Sequence, residues 1–549
     1  MEELEADVLI AGGGVGGLMA ALRAQLSGAH VILIGGSPGA SNRISSLNTA
    51  LEQGPHDEPA ALFDDVVRAG GFINNPILVA AMAERIGPET NFLVGLDVPF
   101  FRENGHLARR RAAGTTWTRA VYSLGMVGVD ISKEIRRRLK AAGDQVTVIQ
   151  HGWLLDLLVR DGRIAGGLVH TNTSWLQVAA PAVVLATGGA GQLFAYTTNP
   201  PGSRGIGYSL GLEAGASLVD MEFISFEPFI MATPASVRGR DLPTTVLREG
   251  AKLRNGLGEE FLDTQSAPSK DVICRAMVQE VRTGRGTAGG AVYFDLREMR
   301  PKMVRRYVQI EQVLRALKLA PEDALLEVMP AQHYLMGGIR IDEEAASEVP
   351  GLYAVGEVSG GAHGAHRLAA GGGTEVVAMG AIAGEAAATF AKANSLRTPR
   401  HPAEPHPELL PTSLRPEDVQ RLARLRSALD RGCGILRDAD GLSATVSELD
   451  EIRSELIESG RMRSQLGRAT LLGLAIARCA LVRQESRGDH FRSDYPHRKD
   501  LRWLGNLRVR LSSKRDDVEL SFERAGLSIR SAAEVVVARS GSLLGESSR

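Results

Sequence analysis

Cysteine is scarce in this chain. Only Cys274, Cys433 and Cys479 occur among 549 residues, and they lie far apart. No CxxC pair exists, so neither a disulfide framework nor a cysteine-ligated iron–sulfur cluster is supported. Aromatic residues make up only 5%. Net charge is almost absent: 63 Lys and Arg against 64 Asp and Glu give a formal −1. No strongly basic domain stands out, which argues against a nucleic-acid partner. Every apolar stretch approaching ~20 residues is interrupted by charges or Gly-rich turns, so no direct membrane span is expected. Nothing resembles a signal peptide. These absences point to a soluble, cytoplasmic protein. Its length exceeds what one hydrophobic core can organise, so two to four domains are expected.

Glycine, by contrast, is plentiful, at 62 residues, and hydrophobic residues reach 44%. The glycines have a meaning at the start of the chain. An apolar strand, Asp7 to Ala11, runs into Gly12-x-Gly14-x-x-Gly17 and out into a helix. Gly12 permits the tight turn, Gly14 lets the backbone approach a pyrophosphate, and Gly17 lets the helix pack on the sheet. The helix N-terminus then faces phosphate charge. This is a dinucleotide site. A second strand, His30 to Ile34, ends in Gly35-Gly36-Ser37, where an Asp or Glu would usually hold the ribose. Ser37 or a backbone group is the available substitute. The polar segment 39–56, with Asn48, is expected to run beside the flavin if the cofactor is FAD.

Helices are expected over Ala60–Ala69, Ile77–Val94 and 130–142, with residues 96–122 irregular. Arg109-Arg110-Arg111 reads as a solvated surface. Leu154–Arg160 and Arg163–His170 flank Asp161-Gly162 and predict a hairpin. Pro181–Ala186 is a buried strand feeding Thr187-Gly188-Gly189, a return to the nucleotide domain. A helix follows through Leu212. Leu352–Val355 is a strand, and Gly373-Thr374 lead into an alanine-rich helix. Residues 394–416 read as a linker, 417–484 as helical, and the basic tail from His490 as partly stranded.

Separated motifs then converge on one family. They are Val184–Gly191, Thr197-Thr198-Asn199, Asp220–Phe223, Leu253-Arg254-Asn255, His333–Ile339, Gly351–Glu357, His363–Leu368 and Glu485–His490 with Asp494-Tyr495-Pro496. Together they resemble the flavoproteins of succinate dehydrogenase, fumarate reductase and L-aspartate oxidase, over nearly the whole chain. The resemblance implies an α/β fold: a Rossmann-like FAD-binding domain with an inserted α+β capping domain and a C-terminal helical domain. The expected boundaries are 1–222 and 331–393 for the FAD domain, 223–330 for the cap, 394–416 for the linker, 417–490 for the helical domain and 491–549 for a small C-terminal region. It implies cofactor contacts by Gly12, Gly14, Gly17, Ser37, Asn48, Thr187, Gly188, Gly189, Glu357, Gly373 and Thr374. It also implies hydride exchange between flavin N5 and a carbon beside a carboxylate or carbonyl, with fixed cations holding the carboxylate.

His333 and Arg367 match the family's substrate-clamping pair. Other positions depart from it. The family's His-Pro-Thr is Glu227-Pro228-Phe229 here, a carboxylate that would repel a dicarboxylate unless burial keeps it protonated. Local alignment through Glu249–Asn255 puts Leu247 where the family resembled has its catalytic arginine, leaving Arg248 one position away, able to substitute only if the loop is shifted. Residues 31–55 contain no histidine to tether the flavin, so FAD is expected to be non-covalent. His366 replaces the Asn before the clamping Arg and is an alternative proton donor. No metal site is expected, since His363 and His366 lack a carboxylate third ligand. The resemblance makes Glu485–His490 and Asp494 a charge network holding the helical domain against the cap.

The favoured function is an FAD-dependent oxidoreductase shifted from the usual dicarboxylates, with an iron–sulfur or other electron-transfer protein as acceptor. The alternatives are a fumarate reductase, succinate dehydrogenase or aspartate oxidase with rearranged residues, and a non-catalytic flavoprotein subunit of an electron-transfer complex.

Overall fold

Four-residue apolar runs at opposite ends of the sequence share one parallel sheet. In a computed structural model, Leu352–Ala354, Ala182–Leu185, Val8–Ala11, Val31–Ile34 and Val146–Ile149 lie side by side in that order. Strands buried on both faces read as continuous Val, Ile and Leu, and the first four of these are almost wholly buried, while the edge strand Val146–Ile149 is partly exposed. The structure describes residues 2–35, 37, 39–54, 56–263, 269–394, 407–410 and 415–525.

Helix Val15–Leu26 leaves the first strand and packs on Gly371–Ala393. The close approach of these two helices needs small residues, since a Cβ on Gly380 or Gly384 would meet the backbone of Gly16 or Ala20. The hairpin Trp153–Arg160 with Arg163–His170 forms as expected, in a sheet that also takes Trp175–Ala179 and Glu2–Glu5. Residues 96–122 are more regular than expected. They contain short strands at Arg102–Glu103, His106–Leu107, Arg109–Arg110 and Ala120–Val121. The arginine run is bound rather than simply solvated. Arg109 pairs with Asp57 at 2.8 Å, Arg110 lies over Tyr122, and Arg111 donates to the Thr115 carbonyl.

The inserted cap has its own antiparallel sheet, ordered Ile224–Met231, Leu325–Leu335, Val292–Asp295, Lys252–Arg254. Its hydrophobic core is separate from the main one. The strand Leu325–Leu335 runs through position 330, carrying the chain from cap to FAD domain without a break.

Helices Pro416–Gly432, Ala439–Glu458 and Gln465–Val482 form the helical domain and join the main core. Most of the expected linker lies outside the described residues. The hairpin Gly505–Leu511 with Val518–Arg524 adds to a sheet with Leu218–Val219, so the tail is fastened to the FAD domain. Gly371–Ala393 and Gln465–Val482 are long and apolar enough to cross a membrane by composition. Both pack against neighbouring helices inside the protein.

Candidate active site

The glycine turn after Val8–Ala11 and the Thr187-Gly188-Gly189 turn emerge from adjacent strands, at the point where the strand order reverses. Ligands bind such sheets in this crevice. Its shape comes from backbone. Gly12 has φ 128°, in a region L residues avoid, and a Cβ there would strike the Ala186 carbonyl. Gly14 caps the helix in extended conformation, with Gly17 one turn on. Ser37 flanks the turn, its carbonyl close to Gly13. Gly189 has no room for a side chain, because the Glu357 carboxylate occupies that space.

Glu357 is buried and accepts from the Leu335 N–H at 3.0 Å, while the Tyr208 hydroxyl donates to its carbonyl. Burial pushes its carboxyl up to about 8. Across the crevice, Asn48 donates to the Ala369 carbonyl at 2.8 Å, and Gly373 packs against Ile44 and Leu47. Thr374 is a correction: its hydroxyl donates to the Asn48 carbonyl at 2.8 Å, so it braces the helix start from within the protein.

Three features of this crevice fit FAD. A cradle without Cβ atoms adjoins the helix N-terminus, where a pyrophosphate belongs. Thr187 Oγ1 and Asn48 Oδ1 are buried with no protein partner. Arg136, which motif reading missed, donates to the Gly13 carbonyl at 2.7 Å and brings a cation to the turn.

The second half of the site lies between this crevice and the cap. His333 sits at a β-bulge, skipped between the pairs Ser225↔Tyr334 and Phe226↔Gln332. A bulge re-aims a side chain. The Thr197-Thr198-Asn199 motif holds it there: Thr198 Oγ1 meets His333 Nδ1 at 2.8 Å, and Asn199 donates to the His333 carbonyl at 2.7 Å. Burial, then the nearby cations Arg367, Lys270 and Arg43, lower its pKa well below the ordinary value, so the imidazole is neutral.

Arg367 lies over the Tyr334 ring, its guanidinium carbon 4.4 Å from the centroid. Its Nη1 donates to the Leu368 carbonyl, and its Nε is buried without a partner. The Tyr334 hydroxyl and His363 both bind Glu375, at 2.8 and 2.9 Å, which locks the floor beneath Arg367. His363 is thus a structural partner. His366 Nδ1 is 3.0 Å from Asp489, and that carboxylate raises its pKa. Among the described residues, no cluster could hold a metal.

The expected stand-in for the family arginine is not supplied by Arg248. Leu247 is buried in the cap core, while Arg248 is exposed on the short helix Thr244–Glu249. The cap instead presents Lys270, the first residue of helix Lys270–Arg282, whose ammonium is 2.6 Å from Glu227. Ser269 before it reads as an N-cap. That local signal places a cation at a helix start but not the site it serves. Arg43, paired with Asp241 of the cap at 3.5 Å, was likewise missed.

A family model described as FAD binding domain matches residues 7–373, and one described as fumarate reductase flavoprotein C-term matches 422–535. The chain belongs to the flavoprotein family of succinate dehydrogenase, fumarate reductase and L-aspartate oxidase. It is 31% identical to one of the subunits of the fumarate reductase (CoM/CoB) of Methanothermobacter marburgensis, covering 90% of this chain and 95% of that one. It is 32% identical to L-aspartate oxidase of Streptomyces coelicolor, covering 93% and 92%. Mycobacterium smegmatis Sdh1, solved in complex with UQ1, superposes with a TM-score of 0.86 at 26% identity, covering 97% of this chain and 96% of that one. The protein is an FAD-dependent oxidoreductase with the family's FAD-binding, capping and helical architecture.

Glu485 and Arg487 form a buried ion pair, whereas Asp494 pairs with Arg492 at 2.6 Å and accepts from the Ala439 N–H. Arg487 joins Glu485 at 2.7 Å, Asp500 at 2.7 Å and the Gly71 carbonyl. Arg483 pairs with Glu222 of the Asp220–Phe223 motif at 2.6 Å, both fully buried.

Proposed function

We propose that this flavoprotein oxidises or reduces a carbon beside a carboxylate, on a substrate other than the family's usual dicarboxylates. The observation that carries this is Arg367. Its guanidinium is fixed over Tyr334, beside a neutral His333, and forms no ion pair among the described residues. An oriented guanidinium without a direct ion-pair partner is suited to an anionic oxygen and to the enolate-like charge that develops there.

When bound, FAD exchanges a hydride with that carbon. The chain's own groups do the rest. Arg367 anchors the carboxylate. His333, oriented through Thr198, directs Nε2 at the same end as a neutral hydrogen-bonding group. Lys270, rather than Arg248, brings the cap's positive charge to the cleft. His366, kept toward its protonated form by Asp489, is the acid for the neighbouring carbon. The flavin is non-covalent, since 31–55 holds no histidine and His56 is stacked on Trp117 at 3.8 Å. An electron-transfer protein is the acceptor we favour, as the relatives include subunits of such complexes.

The test is the flavin spectrum before and after acid precipitation, followed by anaerobic reduction with a panel of carboxylates. Yellow colour released to the supernatant is expected, with reduction by a carboxylate outside the succinate and aspartate pair. Rapid reduction by succinate or aspartate would overturn the shifted substrate. Reduction by no small molecule, only by a protein donor, would favour the silent electron-carrying subunit.

A further inference from the structure

The charges around His333 are nearly all matched. Arg43 meets Asp241 at 3.5 Å, Lys270 meets Glu227 at 2.6 Å and His366 meets Asp489 at 3.0 Å. His333 itself is neutral. Arg367 alone of these cations has no carboxylate partner among the described residues. The cleft therefore offers one cation without a direct ion-pair partner among the described residues.

We infer that the Glu227–Lys270 pair makes this a site for monoanions. One carboxylate sits at Arg367, and an uncharged hydrogen-bonding group, such as an amide, hydroxyl or carbonyl, meets the pair. This rests on Arg367 anchoring a carboxylate, as proposed above, and goes further by fixing the charge of the substrate's other end. A joined ammonium and carboxylate keep both free N–H donors and free oxygen lone pairs, which suits a group that donates and accepts. A second carboxylate has two routes into this place, and both are unfavourable. It can face the Glu227 oxygens as a like charge. Alternatively, it can draw Lys270 away, stranding a Glu227 side chain that is only 12% exposed. The specificity thus comes from a repulsive element as much as an attractive one.

Succinate and succinamate share one skeleton and differ by a carboxylate against a carboxamide. Each is titrated into the FAD-loaded protein and followed by flavin absorbance and by calorimetry. Succinamate is expected to bind at least ~10-fold more tightly, about 1.4 kcal/mol. In Glu227→Gln, succinate is expected to gain affinity and the preference to shrink or invert. Lys270→Met, with Glu227 left unpaired, is expected to weaken succinate further. FAD content and far-UV dichroism check that each variant folds, and Glu227→Ala repeats the comparison if Gln disturbs the strand. Equal or tighter binding of succinate by the unaltered protein would overturn the monoanion inference while leaving the carboxylate reading in place. So would an unchanged ratio in Glu227→Gln. Binding of neither ligand, with uncharged succinamide bound instead, would overturn both.

Discussion

The two halves of the active site are built from different materials. The cofactor crevice is mostly backbone: Gly12, Gly14, Gly17 and Gly189 make space, and the helix Val15–Leu26 aims N–H groups into it. The proposed substrate cleft is side chains: Arg367, His333, Glu227 and Lys270, held by Thr198, Tyr334 and Glu375. Backbone shape depends on the absence of atoms and tolerates little change. Side-chain chemistry can be exchanged residue by residue while the frame stays. That accounts for a chain that keeps the family's FAD frame and departs from the family's pattern at Glu227, Leu247 and His366.

Four measurements would break or sharpen this contrast. The largest effect is expected from Arg367→Ala, which should slow reduction by the true substrate roughly 10³-fold while FAD stays bound. Flavin loss in that variant would mean the two halves are not separable. Next, Gly17→Val drives a side chain into the Gly12 carbonyl. It should weaken FAD by at least ~100-fold, about 2.7 kcal/mol, read as the ratio of flavin to protein absorbance. Retention of full yellow colour would refute a crevice shaped by backbone. Thr198→Val removes the partner of His333 Nδ1. A ~10-fold rise in KM with unchanged flavin content is expected, the cost of one hydrogen bond to an oriented group. An effect on FAD affinity instead would place Thr198 in the other half.

The smallest effect concerns stability. Burial and the nearby Glu222 push the Asp220 carboxyl up to about 7 from its ordinary 3.8. The folded state therefore holds a proton that the unfolded state has released. Stability from this group is full below about pH 4 and is lost as pH rises through 7. Melting temperature should fall by ~1 °C for each kcal/mol lost over that window, given the entropy of unfolding of a chain this long, and Asp220→Asn should flatten the slope. An identical slope in the variant would remove Asp220 as its source.

Much of the frame was legible because its causes are local. A strand, a Gly turn and a helix follow each other within residues 7–26, and the hairpin about Asp161-Gly162 states its own turn. The Arg367 and His333 positions were legible through separated motifs. Lys270 was not, because its meaning depends on a helix N-terminus docking beside Glu227, 43 positions away. Arg248 illustrates the same limit in reverse: it adjoins the expected position in sequence, yet the short helix turns it to solvent and gives the interior to Leu247. The tail looked like an appendage, but its hairpin completes a sheet with Leu218–Val219.

By itself the sequence determined the cofactor frame, the order of its parts and the loss of familiar side chains, since steric need for glycine and apolar periodicity are written in neighbouring residues. Only the tertiary structure decided how the cleft's charges are matched. Ion pairs between an FAD-domain segment, a cap strand and a cap helix depend on distances that the chain sets only when folded, and those distances leave Arg367 without a direct ion-pair partner among the described residues.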